Sequence, residues 1–500
     1  MIIDPQLDQG SSKQVAVGPS PTLRLPEPVA GRSTSPLPDY ETSQAQHSVI
    51  FRKPSFPHRF DSRFWRLTFF ALAIYVFLSV VIGIPLIVTR ITYQKSHPPP
   101  NIVNLFLDES SDQVAPPYVP MGMGGMVMAE STITCDAWNS MDMAGELYQA
   151  TASGFLAPSG VFSVRSNATD EVVPHPGGMH NLTVDINTDA SQTQVVMYVT
   201  LTASSAALRA QAHFCFSTTG ADRGVSVYIP QYLSATDVLA FDIRLLFPQS
   251  PDPIIISDLI TYLPMFSQWF GSLVSSRVSV QNINIAGAGL DIICDYLQAD
   301  KIVVQTSFAS ISGTFNVTQS LKLDNIEGSI NTNTTLVNNP SSGLPTFLAL
   351  DTGNSDILAN VVMVAPSNSR PPMYRAHVKT FNGSLALKVA HDAATQPASL
   401  DLHVENNQAQ STVSLDAKYM GLFDVHTKLA PVQVVYDQVV PDPTGQGRQW
   451  QLDIDSNSTS WMRGWVGFGT RPAYYNPSMS GKVSVVSSLS PILLELGQGS

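Results

Sequence analysis

Two apolar positions seven residues apart recur eight times toward the C-terminus of this 500-residue chain, and few folds accommodate such a pattern. The pairs are Ile285 with Ile292, Val304 with Ile311, Leu323 with Ile330, Leu350 with Ile357, Val378 with Leu385, Val404 with Ser411, Val425 with Val432 and Val485 with Ile492. Ser411 makes its copy a degraded one. Two residues after each first apolar position stands a small or turn-forming residue: Gly287, Thr306, Asn325, Thr352, Thr380, Asn406, Thr427 and Ser487. Successive copies begin 19, 19, 27, 28, 26, 21 and 60 residues apart.

A strand, a tight corner and a second strand form a unit that cannot bury its apolar side alone. Stacked about 4.8 Å apart, such units align inward Val, Leu and Ile into ladders. The expectation is a β-solenoid of about eight rungs over residues 275–500. Proline-containing loops at Asn338–Pro345 and Pro366–Pro372 take up the longer steps. The 60-residue step holds an insertion at 441–477, with Trp450, Trp461 and Trp465.

Upstream, residues 131–255 show strand-like alternation at Leu182–Ile186, Val195–Leu201 and Val225–Ile229, separated by Gly, Pro and Asn/Asp clusters. This predicts a first, β-sandwich-like antiparallel domain, so the chain is mainly β. Charged residues make up 13%, about half the usual ~25%. A net charge of −12 leaves no basic face for nucleic acid. Three cysteines are an odd number, so one stays unpaired. Cys135 and Cys215 are the candidate disulfide, with Cys294 expected inside a strand, although spacing alone does not fix the pairing. His175 and His180 lack partners at metal-ligand spacing and read as loop residues.

Leu67–Thr89 contains 23 residues without a charge. As a helix it is ~34 Å long, enough to cross a ~30 Å hydrocarbon core. It follows a 66-residue tail, unlike a cleavable signal peptide. Arg52, Lys53, Arg59, Arg63 and Arg66 precede it; Arg90 and Lys95 follow, then Asp108, Glu109 and Asp112. The positive-inside rule puts the N-terminus in the cytosol and the rest outside or in a lumen, a type II signal anchor in the lipid bilayer. Residues 1–66 read as a disordered tail. Within it Leu37, Pro38, Asp39 and Tyr40 resemble the LPxY form of the PY motif, the kind of ligand that WW-domain ubiquitin ligases hold in an aromatic groove. Residues 90–130 read as a linker or stalk. Its Met–Gly stretch, Met121–Met128, offers soft ligands that suit Cu(I), but a linker is the expectation, with no cofactor.

Runs such as Thr306–Ile311, Thr427–Val432 and Ser487–Ile492 resemble the "T-S-N-x-P-I" rungs of fungal, chiefly basidiomycete, single-pass membrane proteins with a DUF4097-like adhesin β-solenoid. Gly313–Asn316 and Phe423–His426 are similar to further phrases of that family, as are Cys135 and Trp138 near the start of its outer domain. The likeness covers roughly residues 60–500, and several rungs here lack the Asn or Pro. It implies fold and membrane location, and no activity.

No GxSxG, HExxH or P-loop sequence occurs. Ala286–Leu290 lacks the third glycine of a dinucleotide turn. Asp324 and Asp351 fall at equivalent places in neighbouring copies, about 5 Å apart if stacked, a spacing used by retaining glycosidases. That position should face solvent in a mixed-charge row, so a catalytic role is not expected. Asn167, Asn181, Asn316, Asn333, Asn382 and Asn457 are sequons, candidate glycosylation sites on the outer side. The function expected is passive display of an adhesin-like surface for a glycan or protein ligand. The alternatives are a carbohydrate-active enzyme on the same fold and a trafficking adaptor acting through its LPxY tail.

Overall fold

The computed structural model describes residues 131–500, apart from 169–178, 231, 235, 275–276, 367–369, 438, 477–479 and 499–500. The expected tail with Leu37, Pro38 and Tyr40, the expected span at 67–89 and the stalk at 90–130 lie outside the described residues. Among those described, no helix is long and apolar enough to cross a membrane.

The chain is mainly β, and alternation explains why. Strand Thr346–Thr352 buries Thr346, Leu348, Leu350 and Thr352 and turns the residues between them outward. A strand with one apolar face needs a second layer to cover it. Here the chain supplies that layer itself by turning a corner and running back as another strand. Each rung therefore has two strands, and the rungs stack in parallel around one buried core.

At the start of the stack β8 (Asp222–Tyr228) and β9 (Leu239–Phe247) form one rung, followed by β4 (Gly160–Ser166) with β5 (His180–Ile186). Next come β10 (Ile254–Tyr262) with β11 (Phe266–Phe270), then β12 (Val278–Ala286) with the first part of β13 (Ile292–Thr306). The rest of β13 pairs into the next rung with the start of β14 (Ile311–Asn325), whose remainder continues with β15 (Ile330–Val337). After these lie β16 (Thr346–Thr352) with β17 (Ile357–Val364), β18 (Met373–Thr380) with β19 (Leu385–His391), and β20 (Ser399–Asn406) with β21 (Ser411–Asp416). The stack finishes with β26 (Gly481–Ser487) and β27 (Ile492–Gln498), then β22 (Gly421–Thr427) and β23 (Val432–Tyr436).

The repeat positions fall into two continuous ladders. Ile285, Val304, Leu323, Leu350, Val378, Val404, Val485 and Val425 are successive partners on one side. Ile292, Ile311, Ile330, Ile357, Leu385, Ser411, Ile492 and Val432 are successive partners on the other. The small polar residues at the corners turn inward and hold the backbone. Thr306 Oγ1 donates to the Ala288 carbonyl, Thr352 to Gly328, Thr380 to Ser355, and Asn406 Nδ2 to Gly383, each in the preceding rung. A Cβ on Gly383 would overlap the Ser355 carbonyl oxygen, so this corner requires glycine.

Order in space departs from order in sequence at both ends. Val425 follows Val404 along the chain, yet β26 and β27 lie between their rungs. Likewise β4 and β5 separate β8 and β9 from β10 and β11. Beyond each end the pairing becomes antiparallel. At one end β8 meets β7 (His213–Thr219), which meets β1 (Ser131–Cys135); β9 meets β6 (Val195–Ala203), then β3 (Leu147–Leu156) and β2 (Ser140–Ala144). At the other end β22 meets β25 (Trp461–Phe468), which meets β24 (Trp450–Asn457). Within the insertion expected at 441–477, β24 and β25 thus form a capping hairpin, which covers the β22 edge that would otherwise template further pairing.

Residues 131–255 differ from the separate sandwich expected of them. Their antiparallel pairing is confined to the cap, while β4, β5, β8 and β9 continue the parallel stack. Phe162, Val164, Leu182 and Val184 are fully buried or nearly so in the same core as Leu259 and Phe266. An apolar surface continuous across residue 255 leaves no place for a boundary there. Cys135 and Cys215 are directly opposed on β1 and β7 and form a disulfide. Cys294 lies buried in β13 as a free thiol, and burial raises its pKa.

Candidate functional site

Parallel register decides which outward side chains meet. Along the ladder β18–β20–β26–β22, one outward row reads His377, His403, Ser484, Asp424. The row two residues further on reads Lys379, Glu405, Val486, His426. At the β22 end the capping hairpin overhangs these rows. Asp424, His426, Ser458, Ser460, Trp461, Ser484 and Val486 line a depression of about 560 Å³. Trp461 Nε1 donates to Asp424 Oδ1 at 2.8 Å, which fixes the indole at the wall and leaves 38% of the residue exposed. A partly exposed indole, a carboxylate and several hydroxyls suit a ligand with both C–H and O–H surfaces.

The pairing of indole and carboxylate recurs elsewhere. A depression of about 400 Å³ is lined by residues including Asp185, Asn187, Gln249, Trp269 and Asp295. There Trp269 Nε1 donates to Asp295 Oδ1 at 3.3 Å.

At the β18 end, His377 and His403 are cross-strand partners whose rings stack 5.4 Å apart, 21° from parallel. His403 Nε2 is 2.8 Å from Glu405 Oε1. One nitrogen from each imidazole and a Glu405 oxygen all lie within 4.8 Å of one another. Burial, and then the neighbouring His403, lower the pKa of His377. The His403 hydrogen bond lowers that of Glu405. The sequence reading missed this cluster although its signal was in the repeat. His377 and His403 each precede the first apolar position of successive copies, and Glu405 follows His403 on the same face of a period-two strand.

Asp324 and Asp351 are cross-strand partners, as their place in the repeat requires. Lys322 Nζ sits 3.1 Å from Asp324. Burial raises the pKa of Asp351, with Lys379 opposing that shift. Among the sequons, Asn181, Asn333, Asn382 and Asn457 are exposed. Asn316 is half-buried and donates to the Tyr296 hydroxyl. Asn167 is exposed by area, yet its amide exchanges two hydrogen bonds with the Ile229 backbone and is committed to structure. His180, read as a loop residue, opens β5 and is buried against Phe266, with ring centroids 4.9 Å apart.

No family model matches the chain, and no curated protein matches it. A solved structure that does match is that of a "putative cell adhesion protein" from Clostridium sporogenes, with 8% sequence identity and a TM-score of 0.15, covering 70% of this chain and 99% of that chain.

Proposed function

We propose that this chain is a type II single-pass membrane protein that displays a rigid β stack as an adhesin-like, non-catalytic surface for glycan ligands. The uncharged run Leu67–Thr89, with its excess of Arg and Lys on the N-terminal side, supports the anchor and an extracellular or lumenal β stack. The observation that carries the ligand reading is the depression beside Trp461. A sugar ring presents a C–H face that packs on an indole and hydroxyls that bond carboxylate and serine oxygens. The second indole–carboxylate depression, at Trp269 and Asp295, adds a further contact point of the same chemistry.

Glycan-array binding by the full chain in detergent micelles tests this reading. Trp461→Ala should weaken binding about tenfold or more, as expected of a central aromatic contact. Absence of binding to any glycan, or a Trp461→Ala variant that binds like the parent, would reject it.

A further inference from the structure

We infer that His377, His403 and Glu405 form a binding site for a divalent transition-metal ion of the zinc, copper and nickel class. Two imidazoles with one carboxylate favour that class over calcium or magnesium, which prefer oxygen ligands alone. Zinc–ligand distances of ~2.0–2.2 Å put tetrahedral ligand atoms ~3.3 Å apart. The three atoms here already lie within 4.8 Å of one another, so small side-chain rotations close the site.

The fold positions these side chains before any ion arrives. Parallel register sets His377 beside His403, and period-two alternation brings Glu405 to the same face. The His403–Glu405 hydrogen bond at 2.8 Å holds two of the ligands together. An ion would take the place of the shared proton. Both residues are partly exposed, with 40% and 44% of their side chains accessible, so coordination positions remain open toward solvent. Lys379 lies across from Glu405 and Asp351 lies across from Lys379, a nearly balanced pair of charges at the margin.

Zinc titration of the full chain by calorimetry, in chelator-free buffer, is the test. Comparison of stoichiometries allows for other zinc ligands on the chain. The double variant His377→Ala/His403→Ala should lose one site per chain, and Glu405→Gln should weaken that site about tenfold or more. X-ray absorption of the one-zinc complex should show imidazole ligation in the parent and its loss in the double variant. Unchanged stoichiometry, or zinc without imidazole neighbours, would overturn the assignment. Melting curves in metal-free buffer should coincide for parent and variants, so a lost site is not a lost fold. The titration is read with no glycan present, so this assignment and the glycan reading can fail separately.

Discussion

His391 on β19 meets Asp416 on β21, the next strand of its ladder, much as His377 on β18 meets His403 on β20 in the other ladder. The first pair is sealed, with side chains 0% and 5% exposed. His391 Nδ1 lies 2.9 Å from Asp416 Oδ1, and Nε2 accepts the Ala398 N–H at 3.2 Å. With Nε2 accepting, the ring proton sits on Nδ1 and donates to the carboxylate. The His391 N–H donates to Asp416 Oδ2, so one carboxylate pins both the ring and its backbone. Lys418 Nζ then donates to the carbonyls of Asp392, Ala393 and Thr395, closing the same loop. At the outer cluster the two rings stack, His403 is hydrogen-bonded to Glu405, and both of those side chains are partly exposed. Similar residues on similar strands thus have opposite roles. Where every donor and acceptor is engaged and buried, the group holds the fold; where lone pairs stay accessible, it can take a ligand.

Breaking the sealed pair should have the largest effect. Asp416→Ala leaves the buried imidazole donor and the backbone N–H groups of His391 and Lys418 without their acceptor, and at ~1–3 kcal/mol for each unsatisfied donor should cost ~3–5 kcal/mol in all by chemical denaturation. A loss below about 1 kcal/mol would mean that the pocket relaxes and is not sealed.

A second buried imidazole sharpens the contrast through pH. Burial lowers the pKa of His180 to about 4, while its unfolded value is 6.5. Below pH 6.5 the unfolded chain gains a proton there that the folded chain refuses. Stability should therefore fall as pH drops from about 6.5 to 4, by up to ~3 kcal/mol from this group. His180→Gln should flatten that part of the denaturation-versus-pH curve; a slope unchanged by the substitution would count against the assignment.

The smallest effect concerns an interior position left unsatisfied. Ser411 is fully buried between Leu385 and Ile492, and its hydroxyl has no hydrogen-bond partner among the described residues. Ser411→Ala should raise stability by ~1 kcal/mol, read as a higher denaturation midpoint. A decrease would reveal a partner for the hydroxyl, such as ordered water.

Much of the stack was legible in the sequence because its rule is local. An apolar ladder position recurs at a fixed offset from a polar corner residue, and Val378 aligns with Val404 whether or not the strands are seen. The degraded copy at Ser411 was visible too, since its register partners are all Ile, Leu or Val. The histidine cluster was legible in principle once that register was extended one residue outward. The Trp461 depression was not, because the β24–β25 hairpin that roofs it pairs back onto β22, and Trp461 meets Asp424 at a sequence separation of 37.

Sequence alone determined the period, the identity of the ladder residues and the polar corners, because burial alternates every two residues in any strand. Tertiary structure decided the order of the rungs. Rungs with matching edges compete for the same neighbour, and spacing along the chain does not say which one wins. Only the folded chain places Val485 between Val404 and Val425, joins residues 131–255 to the stack, and turns the hairpin over Asp424. The inward rows were therefore written locally, while the outward rows that form the candidate sites depend on which strands become neighbours.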